Sequence, residues 1–155
     1  LAGVPLLVYN PARQPKNEDT MSAEIKPELL ERINNAYFTW FTTVRADGMP
    51  QPTPVWFIRD GEDFIIYSMP NAQKVKNIRQ NPKVALNFGE DHEGEVYVVV
   101  MGEAAIVTDV PPVHQNPPYV AKYASGIQRL GWTPEQMAGM FSTVIRVKPV
   151  HVRGE

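Results

Sequence analysis

The 155-residue chain contains no cysteine, which excludes disulfides, thiolate metal sites, cysteine nucleophiles and thiol redox chemistry. Histidine is almost as scarce. His92, His114 and His151 are the full complement, and no two of them lie at the i, i+4 spacing that puts a pair of imidazoles on one ion. Asp91-His92-Glu93 is a cluster within an acidic turn, and adjacent turn residues seldom converge on one metal; it reads as a solvated turn. Ser22, Ser68, Ser125 and Ser142 stand outside any Gly-x-Ser-x-Gly elbow, so a hydrolase triad has no support. Neither a GxGxxG fingerprint nor a Walker loop is present.

Long apolar runs are missing as well. The longest, residues 96–101, has six residues where a membrane-spanning helix needs about 20, so no membrane partner is expected. Fifteen Lys and Arg against seventeen Asp and Glu leave a net charge of −2, without the broad basic footprint that nucleic-acid binding requires. The apolar residues 1–9 carry no basic start and no small-residue cleavage site, so a signal peptide is not expected. Together with the absence of cysteine, this gives an expected cytoplasmic location.

Proline is the abundant residue: 15 of 155, near double its usual ~5% share. With 43% hydrophobic residues, the chain still has enough apolar material for one core. Residues 10–20 are polar, hold two prolines and show no periodicity. The division expected is an amino-terminal arm or linker over residues 1–20 and a single domain over 21–155.

Leu29, Leu30 and Ile33 give a helical stripe. Residues 37–45, 51–59 and 63–68 then read as strands separated by Asp47-Gly48 and Asp60-Gly61, the strongest short-range hairpin signal, and together as a three-stranded meander. Pro50, Pro52 and Pro54 recur at every second position, which places the missing N–H groups along one strand edge that faces a loop or a ligand. Asn71 stands where a helix cap is expected, before a helix over 72–80. Strands follow over 84–88 and 95–107, then a proline loop, a helix over 119–129 and a Thr133-Pro134-Glu135-Gln136 capping box. A last strand runs from Thr143 past Pro149 to Val152. The class expected is mainly β with short helices, a six-stranded antiparallel barrel.

Tyr67-Ser68-Met69-Pro70-Asn71-Ala72-Gln73-Lys74-Val75-Lys76-Asn77 brings a strand end, a turn and the free N–H groups of a helix start together with two ammonium groups, a combination that suits a phosphate. A solvated basic helix face has the same local pattern. Lys74 and Lys76 are two apart and point away from each other, so one faces a pocket squarely, and Lys74 lies nearer the helix start. The neighbouring run Pro50-Gln51-Pro52-Thr53-Pro54-Val55-Trp56-Phe57 offers an apolar wall with backbone groups for a flavin-like ring. Trp56 and Phe57 filling opposite faces of a barrel wall is the other reading of that run.

Two stretches carry a family resemblance: Thr43-x-x-x-Asp47-Gly48-x-Pro50-Gln51-x-x-Pro54-Val55-Trp56-Phe57, and Tyr67-Ser68-x-Pro70-x-x-x-Lys74-x-x-Asn77-Ile78-Arg79-x-Asn81-Pro82. With Gly102-Glu103-Ala104 and Val152-Arg153-Gly154, the chain resembles the pyridoxamine 5′-phosphate oxidase-like split β-barrels over residues 23–154. It is most similar to the flavin/deazaflavin oxidoreductase branch. The resemblance implies a homodimer with two cofactor sites at the subunit interface, taking coenzyme F420, with FMN as the alternative, and a small-molecule electron acceptor. It implies Lys74 on the cofactor phosphate, with Lys76, Ser68 and Asn77 nearby, and Thr53, Pro54, Val55 and Trp56 along the ring. It also implies that residues 119–123 reach the neighbouring site. The arginine-rich phosphate cage of true pyridoxamine phosphate oxidases is not evident.

Overall fold

In the computed structural model, residues 24–89 and 91–155 are described, so the expected arm over residues 1–20 lies outside them. The described chain runs α1 (Pro27–Asn35), β1 (Thr39–Val44), β2 (Pro50–Val55), β3 (Ile58–Asp60), β4 (Asp63–Ser68), α2 (Gln73–Gln80), β5 (Lys83–Gly89), β6 (Tyr97–Val107), a 3₁₀ turn (Val113–Gln115), α3 (Pro117–Arg129), α4 (Pro134–Met140) and β7 (Thr143–Gly154). All pairings among the strands are antiparallel. They form one seven-stranded sheet in the order β2-β1-β5-β6-β7-β4-β3.

That order corrects the three-stranded meander and the count of six. The expected second strand is two strands: β2 pairs with β1, and β3 pairs with β4 at the opposite edge of the sheet. Trp56 and Phe57 alone separate them. The sheet therefore curls until its two edges lie two residues apart, with no ladder between them, and this is the split in the barrel. Both Asp-Gly turns close hairpins as expected, with Gly48 at φ 85° and Gly61 at φ 62°, the positive-φ region that glycine enters at no steric cost. The proline-rich β2 lies at a sheet edge, where an absent N–H breaks no ladder bond.

Alternation in the strands divides the apolar residues between two cores. Phe41, Phe57, Phe64, Ile66, Leu86, Phe88, Val100 and Ile145 fill the curled interior, which Leu29 and Ile33 of α1 and Val75 and Ile78 of α2 plug. On the other face of β4, Ile65 and Tyr67 meet Tyr119, Tyr123 and Ile127 of α3 and Met137 of α4. β4 is thus buried on both faces, which accounts for its nearly unbroken apolar run. The Thr133/Gln136 capping box forms reciprocally, at 3.1 and 2.9 Å. Asn71 does not cap α2: the helix starts at Gln73, its N-cap is Ala72, and no side chain caps it. In β7, Pro149 is absorbed by a register shift opposite Met101 and Gly102.

Candidate functional site

The break between β2 and β3 organises the site. Helix α3 clamps it through Tyr123, whose fully buried hydroxyl accepts from the Phe57 N–H (2.8 Å) and lies within hydrogen-bond distance of the carbonyls of Tyr37 (2.8 Å) and Phe57 (2.9 Å). Backbone groups that leave the ladder at the break thereby find partners. The Tyr123 ring stacks on Trp56 with centroids 4.5 Å apart and planes within 3°, while Tyr37 meets both edge-on. Burial pushes the Tyr123 phenol above its usual range, so it stays protonated. The indole so held also lines an apolar slot.

The slot, of about 220 Å³, is walled by Pro54, Val55 and Trp56 of the β2–β3 segment, by Tyr67 and Tyr119, and by Leu130, Trp132 and Phe141 of the α3–α4 hairpin. Lys74 also lines it. A second cavity of about 260 Å³, a polar groove lined by Thr43, Gln51, Thr53 and Gln73, shares Lys74 with it. Lys74 thus stands at the boundary of an aromatic slot and a polar groove. Burial lowers its pKa from the ordinary lysine value, so the ammonium is short of solvation and gains from an anion beside it. Between slot and groove runs the β2 edge. With proline at every second position, Gln51, Thr53 and Val55 must supply the ladder bonds to β1, which leaves the proline carbonyls as acceptors on the free edge and no donor.

Of the residues expected at the site, Lys74, Thr53, Pro54, Val55 and Trp56 converge on these two cavities. Ser68, Lys76 and Asn77 do not. Ser68 is fully buried and its hydroxyl donates to the Met69 carbonyl at 3.1 Å. Lys76 is exposed on the far side of α2, as a two-residue offset requires. Asn77 is 1% exposed and its amide is engaged by protein groups. Of residues 119–123, Tyr119 and Tyr123 are buried within their own chain, and Tyr119 lines the slot of that same chain. The α3–α4 hairpin is the part of the site that the sequence reading missed. Trp132 precedes the capping box and Phe141 caps the far end of the helix it starts, and the two aromatics were a signal for it.

Gly126 is another. A Cβ at that position would lie 2.8 Å from Trp56 Cη2 and 3.0 Å from Cζ2, and closer still to the Tyr37 hydroxyl. Helix α3 approaches the indole because residue 126 has no side chain. Gly126→Ala is expected to push Trp56 toward the slot: overpacking costs ~1–3 kcal/mol, about 1 kcal/mol of which the better helix propensity of alanine offsets. The fluorescence of Trp56 and ring-ligand affinity are the readouts, and an unmoved spectrum with unchanged binding would count against the clamp.

Lys122 lies just outside. Its ammonium donates to the Phe57 carbonyl at 3.0 Å and sits 3.8 Å from the Phe57 ring centroid, a cation–π placement. Burial pushes it down to about 8 from the ordinary 10.5. Between those values the unfolded chain binds more protons than the folded one, so stability rises with pH there. Denaturant unfolding from about pH 7.5 to ~9.5 should show this rise, and Lys122→Met should flatten it, with Lys74 contributing the same slope to both proteins. Above ~10 the raised Tyr119 and Tyr123 phenols act in the opposite direction, since the unfolded chain loses those protons first. Identical slopes in the two proteins would show that Lys122 titrates as an ordinary surface lysine.

Among the described residues no group of three His, Asp or Glu side chains could hold a metal ion, and no helix is long and apolar enough to cross a membrane. A curled antiparallel sheet whose two edges meet without a ladder between them, plugged by short helices, defines the class: a split barrel. Residues 25–154 match the family model described as pyridoxamine 5′-phosphate oxidase, and the chain belongs to that flavin-related family. An F420 reductase shares 27% identity, with 81% of this chain and 95% of that one covered at a TM-score of 0.57. General Stress Protein 26 from Bacillus anthracis shares 20%, covering 81% and 88% at 0.62. HutZ, a haem storage protein from Vibrio cholerae, shares 17%, covering 85% and 95% at 0.59. The last two likenesses are of fold alone. No protein of curated function matches significantly.

Proposed function

We propose that this chain is an oxidoreductase holding a flavin-type cofactor, coenzyme F420 first and FMN as the alternative, for hydride transfer to a small electron-poor acceptor. The observation that carries the reading is Lys74, the cationic residue that lines both the aromatic slot and the polar groove. A flat ring with a phosphorylated tail has that two-part form. The likeness to an F420 reductase supports the deazaflavin over the flavin.

When bound, the cofactor supplies the hydride chemistry. The chain's own residues bind, orient and keep water out. Trp56, fixed from behind by Tyr123, gives the ring a flat wall, and Tyr119, Trp132 and Phe141 close the slot around it. The carbonyls of the β2 edge would accept from a ring N–H, and the Lys74 ammonium would donate to the phosphate. We take the working unit to be a homodimer in the cytoplasm with its sites at the subunit interface. An apolar groove on the outer face of β1, β5, β6 and β7, lined by Val44, Ala85, Met101 and Val150 and flanked by exposed Trp40, supports a second copy there.

Titration of the apo-protein with F420 and with FMN, followed by tryptophan quenching, tests the reading, because Trp56 and Trp132 both line the slot. Tighter F420 binding is the expected result, and tighter FMN binding transfers the protein to a flavin reductase or oxidase. Binding to neither would overturn the proposal. Stoichiometric consumption of reduced cofactor without turnover would make the chain a carrier instead of an enzyme.

A further inference from the structure

Asn77 is a buried polar side chain near the site, and its surroundings assign it a task other than touching the ligand. Two local rules bring four residues together. Gln73 and Asn77 are four apart on α2 and share a face. Thr43 and Gln51 are cross-strand partners in the β1–β2 hairpin. At the contact between helix and hairpin, Asn77 Nδ2 donates to Thr43 Oγ1 (2.9 Å) and to Gln51 Oε1 (3.1 Å), and Asn77 Oδ1 accepts from Gln73 Nε2 (2.8 Å). Both donor hydrogens of the amide are used, and Asn77 and Thr43 are each 1% exposed. Nothing on Asn77 is left to donate to a ligand.

Gln51 and Gln73 are in a different position. Gln51 commits its Oε1 to Asn77 and keeps both Nε2 hydrogens, Gln73 gives Asn77 one Nε2 hydrogen and keeps the other, and both side chains line the polar groove beside Lys74. A flip of all three amides exchanges the roles of Gln51 and Gln73, so in either orientation each keeps at least one N–H free to donate. Free glutamine side chains lose rotamer entropy on binding, and a buried hub that fixes them beforehand removes part of that cost.

We infer that Asn77 is a positioning residue that preorganises Gln51 and Gln73 to grip, with Lys74, the phosphate-ester portion of a ligand. The inference rests on the proposal above that a phosphorylated ring cofactor occupies this site. FMN and riboflavin share one ring and differ in the phosphate, so they separate the tail from the slot. Asn77→Leu should weaken FMN roughly tenfold, a typical loss for a charge-assisted contact set, and change riboflavin less than twofold. In a Gln51→Leu/Gln73→Leu background, adding Asn77→Leu should cost less than a further twofold in FMN affinity.

Equal losses for FMN and riboflavin would reduce Asn77 to a packing role, and fully additive losses would mean that it contacts the ligand; either overturns the inference. Should Asn77→Leu fail to fold, Asn77→Asp keeps the shape, cannot donate to Thr43, and should show the same selective loss. If the wild-type protein binds neither flavin nor deazaflavin, the functional proposal fails by itself. The hub is then read by NMR of the side-chain amides during titration with inorganic phosphate. Saturable shifts of Gln51 and Gln73 that vanish in Asn77→Leu support it, and no shift in the wild type overturns it.

Discussion

Tyr123→Ala is expected to remove about 3–5 kcal/mol of stability, the range for deleting a large buried aromatic side chain, and to abolish ring binding. Three contributions coincide at this residue. The fully buried ring is lost from between Tyr119 and Trp56. The hydroxyl that satisfies the Phe57 N–H is lost with it, and a buried donor left without a partner costs about 1–3 kcal/mol. Trp56 then loses its stacked neighbour and is free to swing into the slot it now lines. Tyr123→Phe separates these effects. It keeps the ring and the stack, removes the hydroxyl, and should cost about 1–3 kcal/mol while leaving the slot formed. Denaturant unfolding measures the stabilities, and titration with riboflavin measures the slot. Retained ring affinity in the alanine variant would show that Trp56 needs no support from α3.

That clamp also marks where the sequence stops being legible. The hairpins could be read because an Asp-Gly turn is a local event: its positive φ is set by two residues and needs no distant partner. The edge position of β2 could be read because proline removes a donor wherever it stands. The division of the second strand could not. Trp56 and Phe57 carry no glycine, proline or charge, and the chain does not end a strand there so much as change partners, from β1 on one side to β4 on the other. Which partner a strand takes is decided by β6 and β7 far along the chain, and periodicity holds no record of it.

The site divides in the same way. Lys74 and the run from Thr53 to Trp56 announce themselves by residue type in a short stretch. Gly126 has meaning only because Trp56 packs against it, 70 positions away in sequence. Asn77 was visible as a member of a motif, but its role was not, since an amide looks alike whether it meets a phosphate or two glutamines. Burial decided between them.

Lys74→Ala should weaken the phosphorylated cofactor by ~1.5–3 kcal/mol, the worth of a charge-assisted hydrogen bond to phosphate, or about 10- to 150-fold in Kd. Riboflavin, which leaves the anion out, should be little affected. The pH dependence gives an independent signature. Burial lowers the Lys74 pKa, so as pH rises the ammonium is lost earlier than on an exposed lysine, and the affinity for the phosphate falls with it. The alanine variant has no such group and should show a flatter alkaline profile. Stability moves the other way: the folded protein holds a partly desolvated ammonium that the unfolded chain solvates freely, so the ligand-free variant should be at least as stable as the wild type near neutral pH. A residue that costs the empty protein and benefits the loaded one is the pattern expected of a binding group. Parallel losses of stability and affinity would make Lys74 a structural residue and remove the cation from the site.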